Sequence, residues 1–111
     1  MATEIGLFTE FHCPPGMDES QAFDESMAEM TSAEELGYDA VWLAEIHFQK
    51  DRSVLAAPLI VASALAACTQ RVKIGIAVQV LPLSHPLRLA DRKSTRLNSS
   101  HIQKSRMPSS A

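Results

Sequence analysis

The apolar positions of the chain alternate between short continuous runs and longer stretches of helical spacing. The apolar runs Ile5–Phe8, Val41–Ala44 and Val72–Leu81 predict three strands. Between the first two strands, apolar side chains recur every three or four residues and predict one face of a helix: Phe23, Met27, Met30, Ala33 and Leu36. Between the second and third strands, Leu59–Ala67 is apolar on nearly all sides, which predicts a tightly packed second helix.

Four residues mark where these elements begin and end. Asp18 can cap the first helix, and Gln21, three residues on, can reach back as the second half of a capping box. Gly37 supplies the left-handed backbone that ends the helix. Pro58 suits the first turn of the second helix. Within the third strand, Gly75 permits the close approach of a neighbouring backbone or a ligand.

The predicted order is β-α-β-α-β with short connections, which indicates an α/β fold. Because each crossover is helical, the strands should be parallel and the crossovers right-handed. This pattern opens either a (β/α)8 barrel or a doubly wound sheet. No Gly-x-Gly-x-x-Gly motif follows the first strand, so a dinucleotide-binding fold loses support.

Charge divides the 111 residues into two parts. Residues 1–91 hold all thirteen acidic and five basic residues, a formal charge of −8, whereas residues 92–111 hold five basic and no acidic residues, a charge of +5. The basic segment has six serines, no aromatic residue and no periodicity, so it is expected to be disordered. It resembles a translated library adapter, which predicts an artefactual tail; the alternative is a regulatory or nucleic-acid-binding arm.

Other features bear on cellular location. There is no 18-residue apolar run, so no transmembrane helix is expected. The first six residues lack the basic and apolar regions of a signal peptide. Cys13 and Cys68 form no disulfide framework, which favours free thiols in a reducing cytosol. A cytoplasmic protein without membrane or nucleic-acid partners is therefore expected.

Candidate chemistry gathers where the predicted strands end. The carboxyl ends of parallel strands meet at one face of the sheet, where α/β folds build their sites. That face would collect Thr9–Phe11, Glu45–His47 and Val78–Val80. His12 and Cys13 are adjacent and lack the spacing of a zinc site, so no metal is expected.

Two motifs carry a family resemblance across residues 4–91. The motif Leu-Gly-Tyr-Asp-x-Val-Trp-Leu-x-Glu-x-His-Phe begins at Leu36, and Val-Leu-Pro-x-x-His-Pro begins at Val80. In this order the two resemble the N-terminal part of the luciferase-like flavin-dependent monooxygenases. The resemblance favours the (β/α)8 TIM barrel, which takes roughly 250 residues. Residues 1–91 would then be its incomplete N-terminal β-α-β-α-β portion, and residues 92–111 the tail.

The resemblance also implies an activity and site residues. An intact enzyme would use reduced FMN, with O2 as co-substrate, to oxidise a small organic molecule. Glu45, Ala77 and Val78 would lie at the flavin, with a non-prolyl cis peptide between the last two. Light-emitting members carry two histidines after the glutamate, and the first is catalytic. Ile46 takes the place of the first, which argues against light emission, and His47 matches the second. His47 is the candidate catalytic residue, and its alternative role is to brace the neighbouring loop.

The resemblance further implies partners and leaves alternatives open. The intact enzyme would be oligomeric and could receive its reduced flavin from a flavin reductase. One alternative is a non-catalytic fragment that acts only by pairing its open strand edges with another chain. A second is a deazaflavin-dependent oxidoreductase built on the same barrel.

Overall fold

The computed structural model describes residues 2–91 and divides the chain into two units after Gln79. The first unit contains β1 (Gly6–Thr9), α1 (Glu19–Glu35), β2 (Ala40–Leu43), α2 (Pro58–Cys68) and β3 (Lys73–Ile76). The described part of the second unit holds a short 3-10 turn, Leu81–Leu83, and helical residues 86–91. The predicted disordered tail, residues 92–111, lies outside the described residues.

The three strands form one parallel sheet in the order β1-β2-β3, as predicted. One face of the sheet packs against the helices. Its core includes Val41 and Leu43 of β2, Met30 of α1 and Leu65 of α2, all fully buried. Successive side chains of a strand point to opposite faces of the sheet, so Trp42 lies on the face opposite Val41 and Leu43.

The predicted helix boundaries are confirmed, with one difference. Asp18 Oδ2 accepts a hydrogen bond from the Gln21 backbone N–H at 3.1 Å. The Gln21 side chain donates instead to Glu25 Oε1 at 3.0 Å, so the reach-back half of the capping box is not formed. Gly37 has φ of +92°, the left-handed conformation that ends α1, and Pro58 is the first residue of α2.

The third strand is shorter than predicted. The ladder covers Lys73–Ile76, and the Ala77 N–H still donates to the Leu43 carbonyl at 2.8 Å. Residues 77–78 then form a turn, so the chain leaves the sheet although its sequence stays apolar. Val78 and Leu81 are exposed, which explains why an apolar run overestimated the strand.

The predicted tight packing of the second helix is wrong. Pro58, Val61 and Leu65 form a buried stripe, whereas Ile60 is 72% exposed. Leu36, predicted on the buried face of α1, is 75% exposed. Both errors have one cause. A three-stranded sheet offers each helix a single face to pack on, and apolar side chains outside that contact stay uncovered.

Candidate active site at the strand ends

A buried carboxylate joins the ends of two neighbouring strands. Glu45 lies two residues beyond β2, and its side chain is only 5% exposed. The Gln79 side-chain amide donates to Glu45 Oε1 at 3.1 Å. On the other oxygen, His47 Nε2 lies 2.8 Å from Glu45 Oε2. Each oxygen thus has a protein partner, and the three side chains form one connected group, called here the Glu45 cluster.

His47 is the solvent-facing member of the Glu45 cluster. Its side chain is 24% exposed, so the imidazole is partly open to solvent. Phe48 follows with φ of +59° and is 99% exposed as a residue. The centroid of its ring lies 6.1 Å from that of the imidazole. An aromatic residue in a left-handed conformation is unusual, and such conformations concentrate at functional sites.

The segment after β3 has the backbone that the family resemblance implies. The peptide between Ala77 and Val78 is cis, although neither residue is proline. Val78 is 76% exposed, and Gln79 of the Glu45 cluster follows it directly. The expected contact of Ala77, Val78 and Glu45 with a flavin stays a prediction.

Glu10, which follows β1, is paired with Arg52 in the loop after β2. Glu10 receives two hydrogen bonds from Arg52, Nε to Oε1 at 2.8 Å and Nη2 to Oε2 at 2.9 Å. The hydrogen bond from Arg52 is the main reason that the pKa of Glu10 lies below its ordinary value. Backbone bonds fix the same loop, from Cys13 N–H to the Arg52 carbonyl and from Val54 N–H to the Phe11 carbonyl, both at 3.1 Å. Glu10 thus anchors the loop that follows His47.

Sequence reasoning placed Glu45 and His47 at this end but gave no role to Gln79 or Arg52. A signal for Gln79 exists, because it is the one polar side chain between Ile74 and Leu83. A polar residue inside such an apolar run needs a hydrogen-bond partner when it is buried. Arg52 lies in a polar loop, where nothing in the sequence distinguishes it from its neighbours.

Within residues 2–91, no group of three or more His, Cys, Asp or Glu side chains is arranged to hold a metal ion. Cys13 and Cys68 are both free thiols, the first buried and the second exposed. No helix in the described part of the chain is long and apolar enough to cross a membrane.

Comparison with known proteins shows the family of the chain. The family model described as "Luciferase-like monooxygenase" matches residues 3–95. The chain belongs to the luciferase-like monooxygenase family. Among its relatives, the alkanal monooxygenase alpha chain of the Kryptophanaron alfredi symbiont is 31% identical over 85 residues, which are 77% of this chain and 24% of that protein. Limonene 1,2-monooxygenase of Rhodococcus erythropolis is 33% identical over 75 residues, which are 68% of this chain and 19% of that protein.

A solved structure has the same fold over most of the chain. It is the oxygenating constituent of 3,6-diketocamphane monooxygenase from Pseudomonas putida, a type II Baeyer-Villiger monooxygenase in complex with FMN. The match has a TM-score of 0.71 and 28% identity, and covers 80% of this chain and 24% of that one. The predicted family and the predicted partial TIM-barrel fold are therefore confirmed. The chain spans about a quarter of the length of these relatives, or less.

Proposed function

We propose that this chain is the N-terminal part of a flavin-dependent monooxygenase that uses reduced FMN and O2 to oxidise a small organic molecule. The observation that carries the proposal is the Glu45 cluster beside the exposed Val78, at the carboxyl ends of β2 and β3. Two facts about relatives support it: several are named monooxygenases, and the solved structure with the same fold contains FMN.

The residues after β3 fit a flavin. An isoalloxazine ring is flat and largely apolar on its faces, and its partner surface must be apolar and uncovered. Val78 meets both conditions, since it is an apolar residue that is 76% exposed, in the turn after β3. Ala77 and Val78 would hold the ring, and Glu45 would support them through Gln79. When bound, a reduced flavin supplies the electrons that activate O2, while the protein supplies orientation and exclusion of water.

His47 is the proposed catalytic residue of this site. An imidazole can accept or release a proton near neutral pH, and this one is held by Glu45 and remains partly open to a ligand. Ile46 at the adjacent position cannot transfer protons. We therefore expect oxygenation without appreciable light.

The proposal extends to the organisation of the protein. Residues 1–91 are the barrel portion, and residues 92–111 are an artefactual extension that replaces the true continuation. The intact enzyme is proposed to be cytoplasmic and oligomeric, and to obtain reduced FMN from a flavin reductase.

A second candidate function follows from the sheet edges. In the described residues, β1 and β3 each pair with β2 alone, which leaves one open edge on each. Open edges present unpaired backbone groups to another chain. The 111-residue chain could therefore act by strand pairing and carry no catalytic activity.

The test is to determine the gene sequence beyond codon 91 independently and to express the full reading frame. We expect a barrel sequence in place of residues 92–111, and a protein that binds one FMN and consumes O2 when the flavin is reduced. The 111-residue chain is the control, and it should not bind FMN because about five of eight strands are missing. Mass spectrometry of the retained cofactor separates FMN from a deazaflavin. A full-length protein that retains neither flavin would contradict the proposal.

A further inference from the structure

The hydrogen bonds of Glu45 determine which nitrogen of His47 carries its hydrogen. An ionised carboxylate has lone pairs and no hydrogen to donate. A neutral imidazole has one N–H and one bare nitrogen. Because His47 Nε2 lies 2.8 Å from Glu45 Oε2, a neutral ring beside the ionised carboxylate carries its hydrogen on Nε2 and its lone pair on Nδ1.

Gln79 keeps the carboxylate in the orientation that this bond requires. Its amide Nε2 donates to Oε1, whereas His47 bonds to Oε2. Gln79 is 34 residues from Glu45 in sequence and follows a different strand, so the fold itself sets the direction of the carboxylate. The glutamate side chain is 5% exposed, so water competes little for its oxygens, and hydrogen bonds gain strength in such surroundings.

We propose that Glu45 is a positioning residue that fixes His47 as the Nε2–H tautomer and makes Nδ1 its proton-accepting atom. Each Glu45 oxygen accepts from a protein donor, and the side chain is only 5% exposed, so the observed contacts support a role that acts through His47. This differs from direct cofactor binding by Glu45, the role that the family resemblance implies.

The consequence for catalysis rests on the proposed function. When Nδ1 takes up a proton, the ring becomes an imidazolium whose Nε2–H still donates to Glu45. The buried carboxylate then stabilises the positive charge, as in other carboxylate–histidine pairs. The tautomer itself is independent of any flavin chemistry.

The experiment uses the full 111-residue chain with ¹⁵N-labelled histidine. Long-range ¹H–¹⁵N correlation spectra, recorded at a pH where the rings are neutral, identify the protonated nitrogen of each imidazole. The spectrum of a His47→Gln variant assigns the His47 signals among the four histidines. We expect a protonated Nε2 and an unprotonated Nδ1 for His47.

Three variants separate positioning from general structural effects. Glu45→Ala should move both nitrogen shifts of His47 toward a mixture of tautomers, because Nε2–H loses its acceptor. Gln79→Leu should move the shifts in the same direction but less far, because Oε2 remains as an acceptor and the carboxylate loses only the bond that orients it. Glu35→Ala is the matched control, since that carboxylate is exposed at the end of α1, and it should leave the His47 signals unchanged.

A hydrogen on Nδ1 of His47 in the unmodified chain, or an even mixture of tautomers, would overturn the proposal. So would a folded Glu45→Ala chain with unaltered imidazole shifts. If Glu45→Ala does not fold, as judged by its backbone amide spectrum, the tautomer in the unmodified chain decides. Failure of the full-length protein to bind FMN would reject the proposed function and leave this assignment standing.

Discussion

Trp42 shows how one side chain constrains the sequence of two neighbouring strands. Its indole lies across the sheet face opposite the helices, over Gly6 of β1 and Gly75 of β3. A Cβ at Gly6 would lie 2.8 Å from the indole Nε1, and a Cβ at Gly75 would overlap the six-membered ring. In the described residues, the close approach predicted at Gly75 is made by the Trp42 side chain.

Replacing Gly75 with alanine should therefore destabilise the chain through Trp42. We expect the free energy of unfolding to fall by about 1–3 kcal/mol, the usual cost of inserting a group into packed space. In a Trp42→Ala background, the same substitution should cost much less, because the overlapping ring is gone. Urea denaturation of the four proteins of this double-mutant cycle measures the coupling. Equal costs in both backgrounds would show that the indole does not constrain Gly75.

The residues of the site were only partly predictable from sequence. The motifs placed Glu45 and His47 together because strand ends of a parallel sheet share one face. The pairing of Glu45 with Gln79 was not predictable. Gln79 follows the turn at residues 77–78, and the apolar sequence of this segment does not show where the strand ends. Arg52 is a similar case, because its pairing with Glu10 depends on how an irregular loop folds back.

Between elements, a single glutamate ties the end of α1 to the start of β3. The Glu34 carboxylate accepts hydrogen bonds from the backbone N–H groups of Gln70, Arg71 and Val72. These bonds, the one from Arg71 foremost, hold the pKa of Glu34 below its ordinary value of 4.5. Without Glu34, these three backbone N–H groups between α2 and β3 would have only water as a partner.

The pKa of Glu34 predicts a pH dependence of stability. A carboxyl whose pKa is lower when folded contributes stability that is fully present above pH 4.5 and is lost as the pH falls through the lower folded pKa. Glu34→Gln should therefore lower the free energy of unfolding at pH 7 and weaken its fall below pH 4.5. Glu35→Gln, the same change at the exposed neighbouring residue, is the control. Parallel pH profiles for Glu34→Gln and the unmodified chain, by urea denaturation, would contradict this reading.

Element order and topology followed from the sequence more fully than packing did. Alternating apolar runs and helical spacing determine a parallel β-α-β-α-β order, since helical crossovers leave few other arrangements. The sequence did not predict which apolar side chains of each helix are buried. Ile60 and Leu36 are apolar but exposed, because side-chain hydrophobicity does not specify which helix face the sheet covers.

For the whole molecule, the exposed apolar surface fits a sheet that continues in a longer protein. Phe8 and Trp42, on the sheet face away from the helices, are 52% and 42% exposed. In a TIM barrel this face points inward and is filled by layers of side chains from all eight strands. The proposal that the chain is the first part of such a barrel accounts for these exposed residues together with the open edges of β1 and β3.

The most direct test of this account is FMN binding by the full-length protein with tryptophan at position 78. Val78→Trp should block the flavin by direct overlap and weaken binding of reduced FMN at least tenfold. Ile60→Trp is the matched control, because it places the same ring at an equally exposed position on α2. Titration of the three proteins with reduced FMN should give similar affinities for Ile60→Trp and the unmodified enzyme, with Val78→Trp alone impaired. If Val78→Trp binds reduced FMN as tightly as the unmodified enzyme does, Val78 is not at the flavin, and the site assigned to these strand ends is wrong.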